Sequence, residues 1–325
     1  MNIGILGGGA WGTALAQVAA AEGEQVVLWA RNKDVVDDIN TRRVNSLYLN
    51  GFALNPGITA THDFAALKAC DAIFVAVPAQ HVRSVLAQAG TGARALILCS
   101  KGIEAGTGFL ISEVGQDVCP DAPIAVLSGP TFAHEVAARL PTAVTLACEN
   151  VELGRELALR IARPHFRPYI SGDVIGSEIG GAVKNVLAIA CGVAEGLKLG
   201  QNARAALIAR GFAEMTRFGL ARGAKVETLS GLAGIGDLVL TCSSMASRNF
   251  SLGVGLGEGL DAQSLLAERR TVAEGAFTAP VLQQAARAVG VEMPVVDAVC
   301  TLLAGAQTAI QAVSALLNRP LRGEG

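Results

Sequence analysis

Lys184 is the single cation in an otherwise apolar stretch of helical pattern from Ile179 to Ala194, and Asn185 follows it directly. Burial disfavours the ammonium form and draws its pKa toward the range useful for proton transfer. Reduction of a carbonyl needs such a donor for the oxygen as hydride reaches the carbon. The structural alternative is a lysine that snorkels out of a core helix. A second cluster downstream weighs against it: Gly234-Ile235-Gly236-Asp237, then Thr241, Ser243, Ser247, Arg248 and Asn249. This short stretch supplies a carboxylate, hydroxyls, a guanidinium and an amide, a set suited to a polyol phosphate. The planar fork of Arg248 matches phosphate oxygens, while Asp237 can accept from substrate hydroxyls or orient Lys184. An ordinary polar loop has the same composition. His134, the obvious rival for the proton donor, sits alone near a turn, where a structural hydrogen bond is the expected role.

Hydride chemistry requires a carrier, and Gly7-Gly8-Gly9-Ala10-Trp11-Gly12 fits G-x-G-x-x-G between an apolar run and a helical pattern. In that context Gly7 permits the tight turn, Gly9 lets the backbone approach a pyrophosphate, and Gly12 lets helix and strand pack closely. The free N–H groups and positive dipole end of the helix then face the phosphates. At the end of the second apolar run, where an acidic residue would hold the ribose of NAD, the chain has Arg31. An arginine there can pair with the 2′-phosphate of NADP(H), or it is a solvated residue that stacks on adenine. The glycines of Gly234-Ile235-Gly236 and Gly253-Val254-Gly255-Leu256-Gly257 neither complete the pattern nor follow a strand, so they read as turn or helix-packing glycines.

Positioning these groups falls to two kinds of element. Up to about Ile170, runs rich in Val, Ile and Leu alternate with helical patterns: Ile3–Leu6, Val26–Trp29, Ala72–Val77, Ala95–Cys99, Ile124–Leu127 and Ala143–Ala147. This predicts an α/β fold with a doubly wound, parallel Rossmann sheet. From Gly172 onward Ala/Leu/Ile-rich stretches predict helices over Ser177–Leu199, Ala203–Ala221, Thr278–Val289 and Val295–Leu317. The expected division is a dinucleotide-binding domain over 1–172 and an all-helical substrate and catalytic domain over 173–325. Ligands of open parallel sheets bind beyond the carboxyl ends of the strands. Ser100-Lys101-Gly102 and Ser128-Gly129-Pro130-Thr131 occupy two such ends, although a surface lysine and a well-formed turn would read the same way.

With 26 basic and 28 acidic residues the chain carries no electrostatic footprint for nucleic acid. The seven cysteines are widely spaced and include no Cys-x-x-Cys pair, as expected of reduced, mostly buried thiols in a cytoplasmic protein. No His, Cys or carboxylate cluster has metal-ligand spacing. The N-terminus enters an apolar run without a basic leader, so no secretory signal is expected. The uncharged run from Ala298 to Asn318 is long enough to span a bilayer. However, Gln307, Gln311 and Ser314 share one helical face, and a buried or interface helix is expected instead of an integral membrane span.

Taken in order, Gly7-Gly8-Gly9-Ala10-Trp11-Gly12-Thr13-Ala14, Ser100-Lys101-Gly102, Ser128-Gly129-Pro130, Gly181-Ala182-Val183-Lys184-Asn185 and Gly231-Leu232-Ala233-Gly234-Ile235-Gly236-Asp237-Leu238 span nearly the whole chain. The sequence thereby resembles the bacterial-type NAD(P)-dependent glycerol-3-phosphate dehydrogenases. The resemblance implies a C-terminal domain like that of 6-phosphogluconate dehydrogenase. It implies Lys184 as proton donor or acceptor, and contacts to glycerol phosphate from Lys101, Gly129, Thr131, Asp237, Ser247, Arg248 and Asn249. Cofactor contacts are implied for Trp11, Arg31, Tyr48, Lys101, Ala133, Arg248, Val272 and Glu274, beside Gly7, Gly9 and Gly12. Family members often carry serine at the place of Thr131, a change that keeps the hydroxyl. The implied activity interconverts dihydroxyacetone phosphate and sn-glycerol 3-phosphate with NAD(P)H for glycerophospholipid synthesis. The oligomeric state is left open, with a homodimer compatible. A dehydrogenase acting on a hydroxy acid and a catalytically silent NAD(P)-binding sensor are the alternatives.

Overall fold

The computed structural model describes residues 1–267 and 273–320. Among them, an eight-stranded sheet is built from β1 (Ile3–Leu6), β2 (Val26–Trp29), β3 (Ile58–Thr61), β4 (Ala72–Val75), β5 (Ala95–Leu98), β6 (Ile124–Ser128), β7 (Thr142–Cys148) and β8 (Phe166–Ser171). Its order is β3-β2-β1-β4-β5-β6-β7-β8, so the connection reverses between β1 and β4, and the glycine loop leaves β1 at that switch point. The helices among the strands are α1 (Ala10–Ala19), α2 (Lys33–Asp37), α3 (Val82–Ala89), α4 (Ile111–Val118), α5 (Ala133–Ala137) and α6 (Val151–Ile161). The edge strands β3 and β8 are partly exposed, while the six inner strands bury most of their residues because separate apolar cores cover the two sheet faces. This is why they read as continuous Val/Ile/Leu runs and not as alternating ones.

The sheet is not wholly parallel, which corrects the sequence expectation: β6 and β7 pair antiparallel, with Val126 opposite Ala147. The connection explains it. A parallel crossover must carry the chain back along the length of β6, whereas α5 has five residues and spans only about 7.5 Å. The chain therefore re-enters the sheet at the end where it left. Strands β3 and β8 were missing from the predicted set, and both are edges. In β8, Pro168 interrupts the strand pattern, and a sheet tolerates proline at an edge where its missing N–H faces no partner.

The second half is helical: α7 (Val174–Gly196), α8 (Gly200–Ala221), α9 (Val226–Leu229), α10 (Asp237–Thr241), α11 (Arg248–Gly257), α12 (Ala262–Ala267), α13 (Glu274–Ala288), α14 (Pro294–Leu303) and α15 (Ala309–Leu317). Helix α7 opens on Asp173, whose carboxylate accepts from Gly176 N at 2.9 Å, and runs through the centre of the helical core. It is long and apolar enough to cross a membrane, but 94% of its apolar window is buried inside the protein. Helix α11 lies against it backbone to backbone. A Cβ on Gly192 would fall 2.0 Å from Phe250 O, and one on Gly253 would fall 2.1 Å from Ile189 O. The glycines of Gly253-Val254-Gly255-Leu256-Gly257 are thus helix-packing residues. The apolar stretch over Val295–Leu317, expected as one helix, is two. Gly305 adopts φ +67°, and Thr308 caps α15 by accepting from Gln311 N, so neither piece reaches membrane-spanning length.

Candidate active site

Four elements bring the chemistry together. Lys101 follows β5, Gly129 follows β6, Lys184 lies midway along α7, and Asp237 opens α10. Asp237 is fully buried, and its two carboxylate oxygens are divided between two ammoniums. Lys184 Nζ donates to Oδ1 at 2.6 Å, and Lys101 Nζ donates to Oδ2 at 2.6 Å. Lys184 also donates to Thr241 Oγ1 at 2.9 Å, and Lys101 to Gly129 O at 3.1 Å. Burying a carboxylate without partners is costly, and here each oxygen of Asp237 has an ammonium donor. Lys184 does not snorkel: it is 5% exposed, and its ammonium is held in place.

Burial lowers the Lys184 pKa to about 8, with Asp237 pulling it up and the Lys101 charge pushing it further down. An acid of that strength gives up a proton near neutral pH yet is still protonated there. A lysine donor for ketone reduction must be charged, so with Lys184 in that role activity is expected below about pH 8 and lost as pH rises through it. We expect kcat/KM for reduction to fall by about tenfold per pH unit on that limb. Asp237→Asn, which removes the upward pull, is expected to move the limb to lower pH. A profile unchanged by the substitution would separate Asp237 from the titrating group.

The phosphate-binding candidates gather at the N-terminus of α11. Ser247 caps the helix by accepting from Phe250 N at 3.2 Å, which leaves its hydroxyl proton to donate. Arg248 is exposed at the first helical position, and its charge acts on Glu274. The first turn of α11 holds no acidic residue, so its free N–H groups and dipole favour an anion. Asn249 has a structural duty as well: Nδ2 donates to Asn185 Oδ1 and Oδ1 accepts from Gly275 N, each at 2.9 Å, joining α7, α11 and α13. Glu274 opens α13. Burial raises its pKa, against the pull of Arg248, Lys101 and Lys184. Ser243 is exposed. His134 is exposed too, stacked on Phe132 with centroids 5.7 Å apart and with Glu135 4.0 Å away, in place of the expected structural hydrogen bond. Val272 lies outside the described residues.

Around the glycine loop the backbone leaves room for a dinucleotide. Gly7 adopts φ +132°, and a Cβ there would stand 2.6 Å from Ala76 O, while one on Gly12 would stand 1.9 Å from Gly7 O. Gly9 is different: among the described residues no atom beyond its chain neighbours lies within 4 Å of its Cβ position, and α1 begins there without a side-chain cap. An open cradle before an uncapped helix N-terminus fits a pyrophosphate. Trp11 is half-buried beside it with its Nε1 buried and unpartnered. Arg31 is exposed just beyond β2, and Tyr48 is exposed with its N–H on Asn45. Ala133 opens α5, and Thr131 donates to Gly129 O at 3.3 Å. Sequence reasoning missed Asn45, which is fully buried.

A family model for the N-terminus of NAD-dependent glycerol-3-phosphate dehydrogenase matches residues 2–154, and one for its C-terminus matches residues 173–314. The chain belongs to this family. The NAD(P)+ glycerol-3-phosphate dehydrogenase 1 of Sphingopyxis alaskensis is 60% identical over 324 residues, covering 100% of this chain and 98% of the relative. The enzyme of the same name from Novosphingobium aromaticivorans is 62% identical, over 99% of this chain and 98% of its own. The crystal structure of the glycerol-3-phosphate dehydrogenase of Coxiella burnetii matches with a TM-score of 0.94 at 41% identity, covering 98% of this chain and 99% of that one. Full-length similarity to members of the glycerol-3-phosphate dehydrogenase family thus spans both the glycine loop and the lysine pair.

Proposed function

We propose that this chain reduces dihydroxyacetone phosphate to sn-glycerol 3-phosphate with NAD(P)H, as a cytoplasmic enzyme that supplies the backbone of glycerophospholipids. The observation that carries the reading is the Lys184 ammonium, buried and fixed on Asp237 and Thr241. When bound, the nicotinamide supplies the hydride. Lys184 Nζ passes its proton to the carbonyl oxygen as that oxygen gains charge, and Asp237 holds the amine against reorientation. Lys101, with one oxygen of Asp237 and Gly129 O as its acceptors, places a second positive charge for an anionic substrate. Arg248, Ser247 and the first turn of α11 grip the phosphate, with Asn249 and Thr131 lining the approach. Residues 1–172 serve as the dinucleotide-binding unit and residues 173–325 as the substrate unit.

A substrate panel tests the proposal. Dihydroxyacetone phosphate should be reduced far faster than dihydroxyacetone, and 3-hydroxyisobutyrate should not be oxidised; turnover of the hydroxy acid at a comparable rate would sink it. Cofactor choice is separable. Arg31 is exposed where a 2′-phosphate would lie, so kcat/KM should favour NADPH, and Arg31→Ala should lower it for NADPH while sparing NADH. A strong preference of the native protein for NADH would assign Arg31 to stacking on adenine instead.

A further inference from the structure

The Asn45 amide ties its own turn to the glycine loop and to α1. Asn45 Nδ2 donates to Gly8 O at 3.0 Å and to Thr13 Oγ1 at 2.8 Å, while Oδ1 accepts from Tyr48 N at 3.2 Å. Asn45 and Thr13 are both fully buried, so these bonds form without competition from water. Residues around Asn45 are braced in turn: Ser46 N donates to Asp38 Oδ2 at 2.8 Å, Leu49 N to Asn45 O at 2.9 Å, and Arg43 Nη1 to Ile58 O at 2.7 Å. The amide is therefore a fixed point against which the glycine loop is set.

The peptide between Gly8 and Gly9 is trans, so its C=O and N–H lie in one plane and point in opposite directions. Anchoring Gly8 O inward on Asn45 turns the Gly9 N–H outward. At the same residue the Cβ position is open and α1 starts uncapped. Glycine flanked by glycine can otherwise rotate this plane at little steric cost. The bond from Asn45 to Thr13 fixes the same amide to the first turns of α1, so loop and helix N-terminus are held in one relation.

We propose that Asn45 is a positioning residue for the cofactor: it orients the Gly8–Gly9 peptide plane so that the Gly9 N–H faces the pyrophosphate, and it joins that loop to the segment bearing Tyr48. This rests on the dinucleotide reading of the glycine loop. Asn45 touches neither the lysine pair nor the substrate stretch in any of these contacts, so its effect should fall on dinucleotide affinity alone.

Equilibrium titration of the full chain tests this. Asn45→Ala should raise the NADPH Kd by about tenfold, as expected when buried hydrogen bonds are lost at a binding loop. The Kd of ADP-ribose, which keeps the pyrophosphate but lacks nicotinamide, should rise by the same factor, while that of adenosine should stay near the native value. At saturating NADPH, kcat and the KM for dihydroxyacetone phosphate should be unchanged. Thr13→Val, which spares the bond to Gly8, should move the NADPH Kd by much less and stands in should Asn45→Ala fail to fold. Thr13→Val losing as much affinity as expected for Asn45→Ala would place the role in α1 and overturn the proposal. So would a folded Asn45→Ala whose NADPH and ADP-ribose affinities stay within twofold of native, or one in which adenosine is lost equally. Failure of the native chain to bind NADPH would instead remove the dinucleotide reading beneath it.

Discussion

Lys184→Ala is expected to lose roughly a hundred- to ten-thousandfold in kcat while still binding NADPH, because in the proposed role its ammonium acts on the substrate oxygen and not on the dinucleotide. The geometry sets the size of the effect. Lys184 Nζ is a buried ammonium held by both Asp237 and Thr241, and removing it leaves the carboxylate with Lys101 as its remaining ammonium. A fall in cofactor affinity matching the fall in kcat would mean that the variant disturbs the fold. Near-normal turnover would make Lys184 a structural residue of α7.

Arg248→Ala is expected to raise the KM for dihydroxyacetone phosphate with a much smaller effect on dihydroxyacetone. Truncating one side of a charge-assisted contact costs 2 kcal/mol or more when the group is desolvated. Arg248 is exposed at the start of α11, so the lower end applies, about 2 kcal/mol or roughly thirtyfold in KM. Arg248→Lys should recover only part of this, because an ammonium keeps the charge but loses the planar fork. NADPH affinity has to be measured in parallel, since Arg248 also acts on Glu274. An equal loss for both ketones would assign the residue to the dinucleotide or to the fold.

Lys184 was legible in the sequence because a lone cation in an apolar helix is costly to bury and stands out against its neighbours. Its partners were legible only as a type. Asp237 lies 53 residues from Lys184 and 136 from Lys101, and periodicity reports on neighbours within a few turns, not on which loops a sheet brings together. The glycine loop could be read in detail because Gly7 and Gly12 answer to local steric demands and their spacing places Gly9 at the open helix N-terminus. The direction of β7 could not, since apolar runs look alike whichever way they point, and only the shortness of α5 decides it. Asn45 went unnoticed for a related reason. A single buried amide has no periodicity, and its worth depends on which carbonyl and hydroxyl it meets.

The most direct test of the central claim is the stoichiometry of the reaction with native and Lys184→Ala protein side by side, each mixed with NADPH and dihydroxyacetone phosphate. We expect the native protein to form one sn-glycerol 3-phosphate for each NADPH oxidised, and Lys184→Ala to bind NADPH yet form almost none. NADPH that stays reduced with the native protein, or product formed at similar rates by both, would contradict the assignment of this cleft as a lysine-assisted ketone reductase.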